Sequence, residues 1–427
     1  MRKNIVTERT NVFEPNNTIT MKFTIAGAVK PEKIQQAFLT AIRENETLNS
    51  RVILAENGEV WYEPCGKTQI QKNYIESTDQ SWQKIFQEQQ KVLFEIEQGE
   101  LIKGYIFPEE DQTEVMLMAN HLAGDGKAIL YFVEQIMCAL ANERVPYRKL
   151  QSISEEEIPE RNKIPFYVNW FVRSSNRKWR KRPEVFTMED RSRIHRIFWE
   201  RNQVKLWVEH FSREELERVL DKARALEVSL TSYLIAAYCQ KIPDWKIPDR
   251  ITVGLAVDVR ANRNRDMGNQ TSGITIRCKC RDRIRLDQNA RSISKQLKKK
   301  LASQTSKYFV LNFLSRLEGT LRDSLYMYLS GTYQNRVSQN LARACGYGKY
   351  SPELSLSNLT VPDIRVQYGD FELKDLVFIP PLVSYGRRML GVVTLNHEMN
   401  ITWQVQENEN AESELNEFRE IMRRLKQ

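Results

Sequence analysis

The first third of the chain alternates between strand-like and helix-like patterns of apolar residues. Residues 18–27 (TITMKFTIAG) place an apolar side chain at every second position and then reach a glycine, which predicts a strand. Residues 31–45 open with a proline and repeat apolar side chains at helical spacing, which predicts an amphipathic helix. In the rest of this third we predict a hairpin, a helix and two strands, at residues 51–64, 79–97, 101–107 and 113–120.

The pattern breaks between residues 151 and 200. A polar, proline-containing stretch is followed by residues 169–186, in which aromatic and basic side chains are mixed. Because a chain of 427 residues is too long for one small core, we predict two lobes that are joined here. We place an N-terminal lobe, a basic aromatic connection and a C-terminal lobe at residues 1–165, 166–195 and 196–427.

Strand-like and helix-like patterns resume in the C-terminal lobe. Residues 197–212 predict a strand, and residues 212–227 predict a helix that starts with a capping box of Ser212 and Glu215. Residues 229–242 predict a buried helix, residues 250–260 a strand ending at Arg260, and residues 286–345 a helix-rich region. Three strand segments are predicted at residues 354–361, 373–384 and 389–405, and a terminal helix at residues 411–425. We therefore predict an α/β fold made of two lobes of similar build.

The composition excludes several classes of protein. Apolar residues make up 41% and charged residues 28% of the chain, which is typical of soluble globular proteins. No apolar run reaches the roughly 18 residues of a membrane-spanning helix, and the N-terminus lacks the apolar core of a secretory signal. Among six cysteines only Cys278 and Cys280 are closely spaced, and no histidine lies near them. We therefore predict reduced thiols, no metal site and a cytoplasmic location.

The charge of the chain favours an anionic partner. Its 64 basic and 55 acidic residues leave a net charge of +9, which suits nucleic acid, anionic lipid, coenzyme A or an acidic carrier protein. Nucleic acid is the weaker interpretation, because the chain has no zinc-finger spacing, no RNP-like aromatic sequence and no P-loop. Residues 169–186 suit peripheral contact with a membrane surface, or else an exposed connection with a solvated basic face. The run Lys295–Lys300 is a second basic site, which we interpret as an exposed helix face.

One short stretch, NHLAGDG at residues 120–126, combines residue types that suit catalysis. It follows a predicted buried strand and precedes a predicted helix, so His121 lies where a rigid element meets a loop. Gly124 and Gly126 permit positive φ or the close approach of a substrate, and Asp125 suits the start of a helix.

An imidazole at this position meets the main chemical requirement of acyl transfer. A hydroxyl or amine attacks a thioester poorly near neutral pH unless a base removes its proton, and imidazole, with a pKa near ~6.5, suits that task. The imidazolium formed in this way can then protonate the leaving thiolate. From the residues alone an alternative stays open, in which His121 is an ordinary polar residue at a strand end and Asp125 only caps a helix.

The stretch HLAGDG resembles the His-x-x-x-Asp-Gly motif of the coenzyme A-dependent acyltransferase superfamily. This superfamily includes chloramphenicol acetyltransferase, nonribosomal peptide condensation domains, alcohol acetyltransferases and wax ester synthase-like enzymes. Four further segments resemble parts of the family's sequences and follow in the same order over nearly the whole chain, at residues 34–52, 228–242, 253–273 and 354–382. The third contains a Val-Asp-Val-Arg…Gly-Asn pattern, and the fourth contains a Ser-Asn pattern.

The resemblance implies two chloramphenicol acetyltransferase-like lobes that form a V with an inter-lobe channel. It implies that His121 is the general base, and that Asp125 is structural and pairs with Arg260 of the other lobe, while Gly126 completes the motif. Without the resemblance, a solvated charge at a strand end is an equal interpretation of Arg260. The implied reaction moves an acyl group from acyl-CoA or an acyl carrier protein to a hydroxyl or amine, with no bound prosthetic group.

Three further residues are candidates for contact with the oxyanion or the acceptor, namely Ser357, Asn358 and Asn120. A turn is the alternative for the first two, because Ser and Asn favour turns.

Condensation domains usually carry two adjacent histidines, and Asn120 replaces the first of them, which favours a stand-alone acyltransferase over peptide-bond formation. The end of the chain, without an adenylation or carrier module, favours the same interpretation. Two alternatives to an enzyme are a non-catalytic, condensation-like binding or scaffold protein and a basic membrane-surface protein.

Overall fold

The computed structural model describes residues 2–65, 72–160, 163–240, 250–261, 264–280, 285–348, 351–408 and 410–427. Eleven helices and strands, together with a short 3-10 turn at Ile96–Gln98, occupy the first 140 residues. They are β1 (Lys3–Asn4), α1 (Thr10–Phe13), β2 (Thr18–Ala26), α2 (Pro31–Arg43), β3 (Ser50–Leu54), β4 (Val60–Pro64), β5 (Tyr74–Ser77), α3 (Trp82–Gln89), β6 (Ile102–Pro108), β7 (Gln112–Asn120) and α4 (Gly126–Leu140).

The remaining elements begin at residue 166. They are α5 (Phe166–Trp179), α6 (Met188–Arg201), β8 (Val204–Phe211), α7 (Arg213–Ala225), α8 (Leu230–Cys239), β9 (Arg250–Asp258), β10 (Thr271–Lys279), α9 (Leu286–Ala302), α10 (Gln304–Lys307), α11 (Phe309–Ser315), α12 (Gly319–Ser330), α13 (Arg336–Cys345), β11 (Leu354–Asn358), β12 (Gln367–Tyr368), β13 (Phe371–Ile379), β14 (Arg388–Leu395), β15 (Glu398–Gln406) and α14 (Ala411–Lys426).

Two open six-stranded sheets organise the described residues. The first has the order β12-β13-β2-β7-β6-β5 and the second the order β10-β9-β11-β14-β15-β8, while β1, β4 and β3 form a small third sheet. The pairs β5–β6, β9–β11 and β11–β14 are parallel, and the other described pairs in these sheets are antiparallel. Each large sheet has its own hydrophobic core, so the predicted α/β fold with two lobes is confirmed.

Strand β13 belongs to the sheet of the N-terminal lobe, although its residues lie in the range predicted for the C-terminal lobe. It pairs with β2, for example at Ile379 opposite Thr20. It also contacts β15 of the other sheet, since the Thr402 hydroxyl donates to the carbonyl of Phe378 at 2.7 Å. One strand therefore ties the two lobes together, and no property of its sequence identifies its sheet. The lobe bounds themselves stay predictions.

Several predicted elements have different bounds in the structure. The strand predicted from residue 197 begins at Val204, because Ile194 and Phe198, spaced one helical turn apart, are buried and extend α6 to Arg201. The helix predicted at 79–97 is shorter, at Trp82–Gln89. The connection at 166–195 is not an open loop but the two helices α5 and α6. The predicted capping box of Ser212 and Glu215 is confirmed.

None of the helices in the described part of the chain is long and apolar enough to cross a membrane.

Candidate active site

The five residues between β7 and α4 carry the candidate chemistry. Strand β7 is buried in the first sheet and ends at Asn120, so it fixes the start of the loop at His121. The Asp125 side chain accepts a hydrogen bond from the Ala128 N–H at 3.0 Å and caps α4. Because nearly all of α4 is buried, both ends of the loop are held by rigid elements.

The two ring nitrogens of His121 differ in their surroundings. Its backbone N–H donates to the carbonyl of Asn17 at 3.1 Å. Nδ1 is buried without a hydrogen-bond partner in another described residue, while the residue as a whole is partly exposed. Nε2 is the other ring nitrogen, and it does not share the burial without a partner that marks Nδ1.

The surroundings of the His121 imidazole favour its neutral form. Burial lowers the pKa of His121 below its usual value of 6.5, although the nearby charge of Asp125 and the carbonyl of His121 itself favour the protonated form. In the neutral tautomer with its proton on Nδ1, the lone pair lies on Nε2. Near pH 7 this nitrogen can accept a proton without first losing one.

The carboxylate of Asp125 joins the two lobes through its hydrogen bonds. Oδ1 accepts from the N–H of Ala128 and from Arg260 Nη2 at 2.5 Å. Oδ2 accepts from the N–H of Gln270 and from the Thr271 hydroxyl, both at 2.9 Å. Burial alone raises the pKa of a carboxyl group, but Arg260 and the two backbone N–H groups hold the pKa of Asp125 below its usual value. All the strong acceptor positions of Asp125 are used, so it is not free to act on a substrate.

Arg260 occupies the position between two carboxylates. The predicted contact with Asp125 is present, and the Arg260 side chain is only 3% exposed. Its Nη1 lies 3.1 Å from Asp258, the last residue of β9, so that strand ends two residues earlier than predicted. Asp258 in turn pairs with Lys127 at 2.7 Å. The four side chains form an alternating row of charges across the lobe boundary, which favours one relative position of the lobes.

Glycines are needed where β13 and the Met267–Gly268 segment approach the loop. A Cβ on Gly126 would lie 2.8 Å from the ring of Phe378. Gly268, with φ of 141°, would place a Cβ 1.6 Å from the carbonyl oxygen of Gln151. The carbonyl of Gly268 itself accepts a hydrogen bond from the N–H of Asp125 at 3.4 Å. The motif glycine and this second glycine allow the two lobes to meet closely around Asp125.

The structure corrects the prediction that Asn120 contacts the oxyanion or the acceptor. The residue is 1% exposed, and its amide group is used within the loop. Nδ2 donates to the Asn17 side chain at 3.2 Å, and Oδ1 accepts from the N–H of Leu122 at 3.0 Å. Asn120 therefore shapes the turn behind His121.

Asn358 is held at the end of β11 in the second sheet. Its Nδ2 donates to the Thr231 hydroxyl at 3.1 Å, and its Oδ1 accepts from the N–H of Thr360 at 2.7 Å. The preceding Ser357 is partly exposed on the same strand. Since Asn358 uses its amide to cap the strand end, a role for either residue at the oxyanion stays a prediction.

A cleft of about 350 Å³ lies beside Asn358. Its walls come from α8, β9, β10, α9 and β11, and it is lined by Ser229, Thr231, Ser232, Leu255, Ala256, Val257, Asp258, Ile274, Ser294, Leu297, Lys298, Leu301, Leu356, Asn358 and Thr360. A mainly apolar space with a few polar groups is typical of small-molecule sites. Asp258 lines this cleft and also contacts Arg260 at 3.1 Å.

A buried acid behind the loop was not found from the sequence. The Tyr62 hydroxyl lies 2.8 Å from the carbonyl of Leu122 and 2.9 Å from Glu8 Oε2. A phenol has one proton, so both hydrogen bonds form only if Glu8 is itself protonated and donates to Tyr62. Burial raises the pKa of Glu8 to about 7, which favours this protonated form. Glu8 lies 113 residues before His121 in a short polar segment, and nothing in that segment signals its burial.

Stability is expected to fall with rising pH because of Glu8. The folded-state pKa of about 7 lies above the ordinary 4.5, so the stabilising contribution is complete below pH 4.5 and is lost as the pH rises towards 7. Glu8→Gln removes this titration. Between pH 5 and 8 we expect wild type to lose about 2 to 3 kcal/mol more unfolding free energy than the variant, measured by urea denaturation. The buried Glu14 titrates in the same range in both proteins and cancels. Parallel pH curves would contradict the assignment of a protonated Glu8.

The cysteines do not provide a metal site among the described residues. All six are free, and no group of three or more His, Cys, Asp or Glu residues in the described ranges is arranged to hold a metal ion. Cys239 lies against Cys278 and Cys280, and hydrogen bonds to both, together with burial, raise the pKa of the Cys239 thiol. A raised pKa favours the neutral thiol rather than the thiolate that binds metals.

Comparison with known proteins identifies relatives through structure only, since neither a family model nor a curated protein matches the sequence. The first condensation domain of the calcium-dependent antibiotic synthetase superposes with a TM-score of 0.67 at 14% identity, over 100% of this chain and 96% of that one. Trichothecene 15-O-acetyltransferase from Fusarium sporotrichioides superposes with a TM-score of 0.66 at 10% identity, over 100% and 95%. Polyketide synthase associated protein 5 from Mycobacterium tuberculosis gives a TM-score of 0.62 at 14% identity, over 98% and 96%.

At such low identity the likeness concerns the fold, and it extends over whole chains on both sides. The chain therefore shares the two-lobed fold of the condensation domains and of the acetyltransferase to which it is similar.

Proposed function

We propose that the protein is an acyltransferase that moves an acyl group from a thioester to a hydroxyl or amine, with His121 as the general base. The observation that carries the proposal is the environment of His121: burial lowers the pKa of its imidazole, Nδ1 is buried, and the residue directly follows a buried strand. The lone pair on Nε2 is the part of the loop that is free to react. Asp125 caps α4 and pairs with Arg260, and it thereby holds the loop in place.

The proposed reaction is a direct transfer in two steps. In the first, the oxygen or nitrogen of the acceptor attacks the thioester carbonyl carbon while its proton passes to His121 Nε2. In the second, the tetrahedral intermediate expels the thiolate, and the imidazolium returns the proton to the sulfur. The products are an ester or amide and a free thiol, and His121 is neutral again. No covalent acyl-enzyme and no prosthetic group are required.

Acyl-CoA and an acyl carrier protein are both candidate donors. One structural neighbour, a mutant of the starter condensation domain of rhizomide synthetase, was solved in complex with C8-CoA and Leu-SNAC. In this chain Ser357 and Asn358 are the proposed contacts for the oxyanion or acceptor, at the rim of the cleft beside Asp258. We place the reaction in the cytoplasm, since all six cysteines are free thiols.

A panel of donors and acceptors tests the proposal. The protein would be incubated with acyl-CoAs of increasing chain length, with the corresponding acyl-pantetheines, and with alcohols and amines or a cell extract. Thiol release and acylated products would be followed by mass spectrometry. We expect a product whose formation releases one thiol per acyl group. If no thioester is consumed above the buffer rate while the protein is folded, the non-catalytic binding or scaffold alternative replaces this proposal.

A further inference from the structure

Helix α5 exposes three large aromatic side chains at its first turns. Phe166 is 86%, Tyr167 63% and Trp170 70% exposed, which are the three highest exposures among the aromatic residues of the described chain. Water-exposed aromatic rings grouped in this way mark an interaction surface. The other aromatics of the segment behave differently, because Trp179 and Phe186 are 2% and 5% exposed and belong to the core. The predicted surface at 169–186 is thus corrected to the exposed face of α5.

The exposed face of α5 continues from aromatic to basic residues. Phe166, Trp170, Arg173 and Arg177 are spaced by four, three and four residues, so they lie on one side of a helix with about 100° per residue. Arg173 and Arg177 are exposed and make no ion pair with a described residue. Residues 173–182 contain six basic residues and no acidic residue. The face therefore has an aromatic end and a strongly basic end.

A second helix extends the aromatic end of this surface. The Phe171 ring stacks on Phe313 at 6.4 Å, and Phe313 stacks on Phe309 at 6.4 Å. Phe309 and the adjacent Val310 are 37% and 36% exposed. Helix α11 thus enlarges the apolar area. Its Leu311 packs with Val259, the residue before Arg260, so this surface adjoins the segment that holds the candidate active site.

We propose that the face of α5, widened by Phe309 and Val310 of α11, rests on an anionic membrane surface. Aromatic rings of Trp, Tyr and Phe favour the boundary between headgroups and acyl chains, and clustered arginines bind the headgroup phosphates. The inference depends only on this surface and not on the proposed reaction. A membrane is favoured over an acidic protein partner because the aromatic and basic groups lie at opposite ends of one helix face, and such a helix can lie flat on a surface. The length of helix from Phe166 to Arg177 is about 17 Å.

Vesicle flotation tests this proposal. We expect the protein to float with phosphatidylcholine vesicles that contain phosphatidylglycerol, to float weakly with phosphatidylcholine alone, and to detach as salt rises. The double variant Phe166→Ala with Trp170→Ala should bind at least about tenfold more weakly, because two rings no longer enter the interface. Arg173→Gln with Arg177→Gln should weaken binding about tenfold, and only to anionic vesicles.

Matched controls come from exposed residues elsewhere. Val361, which is 71% exposed, supplies the apolar control as Val361→Ala, and Lys299→Gln with Lys300→Gln on α9 supplies the charge control. Both should bind like wild type, and so should His121→Ala, which separates this surface from the reaction. Absence of binding to anionic vesicles at low salt overturns the proposal. It is also overturned if the α5 variants bind vesicles like wild type but no longer bind an acidic carrier protein that wild type binds.

Discussion

Replacing Asp125 with alanine is expected to lower the unfolding free energy by about 3 to 5 kcal/mol and to remove activity with it. The variant leaves Arg260 buried at 3% exposure with only the more exposed Asp258 as a partner. It also removes the cap of α4 and the acceptor for the Gln270 N–H and the Thr271 hydroxyl. Each of these losses acts on the contact between the lobes, so the loop of His121 loses its support together with the stability.

Chemical denaturation of a small set of variants measures this effect. Because native stabilities are typically about 5 to 15 kcal/mol, Asp125→Ala can fail to fold, and Asp125→Asn is the milder companion that keeps an acceptor for the cap but loses the charge. Asp258→Asn is the matched control, since the Asp258 side chain is 33% exposed and Arg260 keeps Asp125. We expect it to cost about 1 kcal/mol or less. A loss of less than about 1 kcal/mol for Asp125→Ala would show that the pair does not hold the lobes together.

The sequence was most informative where chemistry and local structure coincide. The His121 loop has an apolar strand before it and an apolar helix after it, and Asp125 is a natural helix cap, so its position could be predicted from local rules. The partner Arg260 was found through its place in a resembling segment. The hydrogen bonds from Gln270 and Thr271 were not found, because a backbone N–H donor leaves no trace in the residue type.

Contacts between distant segments account for the other differences. Strand β13 joins the first sheet although strands of the second sheet both precede and follow it in the chain. Periodicity does not identify the strand with which a given strand pairs. Asn120 was assigned to the substrate, yet a buried Asn17 more than 100 residues earlier takes its amide. Trp179 and Phe186 resembled surface aromatics because basic residues surround them, whereas their own side chains enter the core. In each case the deciding neighbour lies far away in the chain.

Replacing His121 with alanine is expected to reduce acyl transfer by about 10² to 10⁴-fold while the protein remains folded. The loss follows from removing the only group of the loop that has a free, neutral nitrogen. The unfolding free energy should change by no more than about 1 kcal/mol, since Nδ1 has no partner in another described residue whose hydrogen bond would be lost. Loss of activity without loss of stability distinguishes His121 from Asp125.

His210 provides the matched control for this substitution. Its side chain is 51% exposed in the second sheet, next to Glu398, and it has no part in the proposed reaction. His210→Ala should therefore transfer acyl groups at the wild-type rate. The wild-type rate constant kcat/KM should be level above pH 6.5 and fall below it, because the pKa of His121 is depressed and the ring must be neutral to accept a proton.

The most direct measurement is the amount of acylated product and free thiol formed from one thioester by wild type, His121→Ala and His210→Ala at equal concentrations of folded protein. We expect equal amounts of product and thiol with wild type and His210→Ala, and neither above background with His121→Ala. Product formation by His121→Ala at the wild-type rate would contradict it.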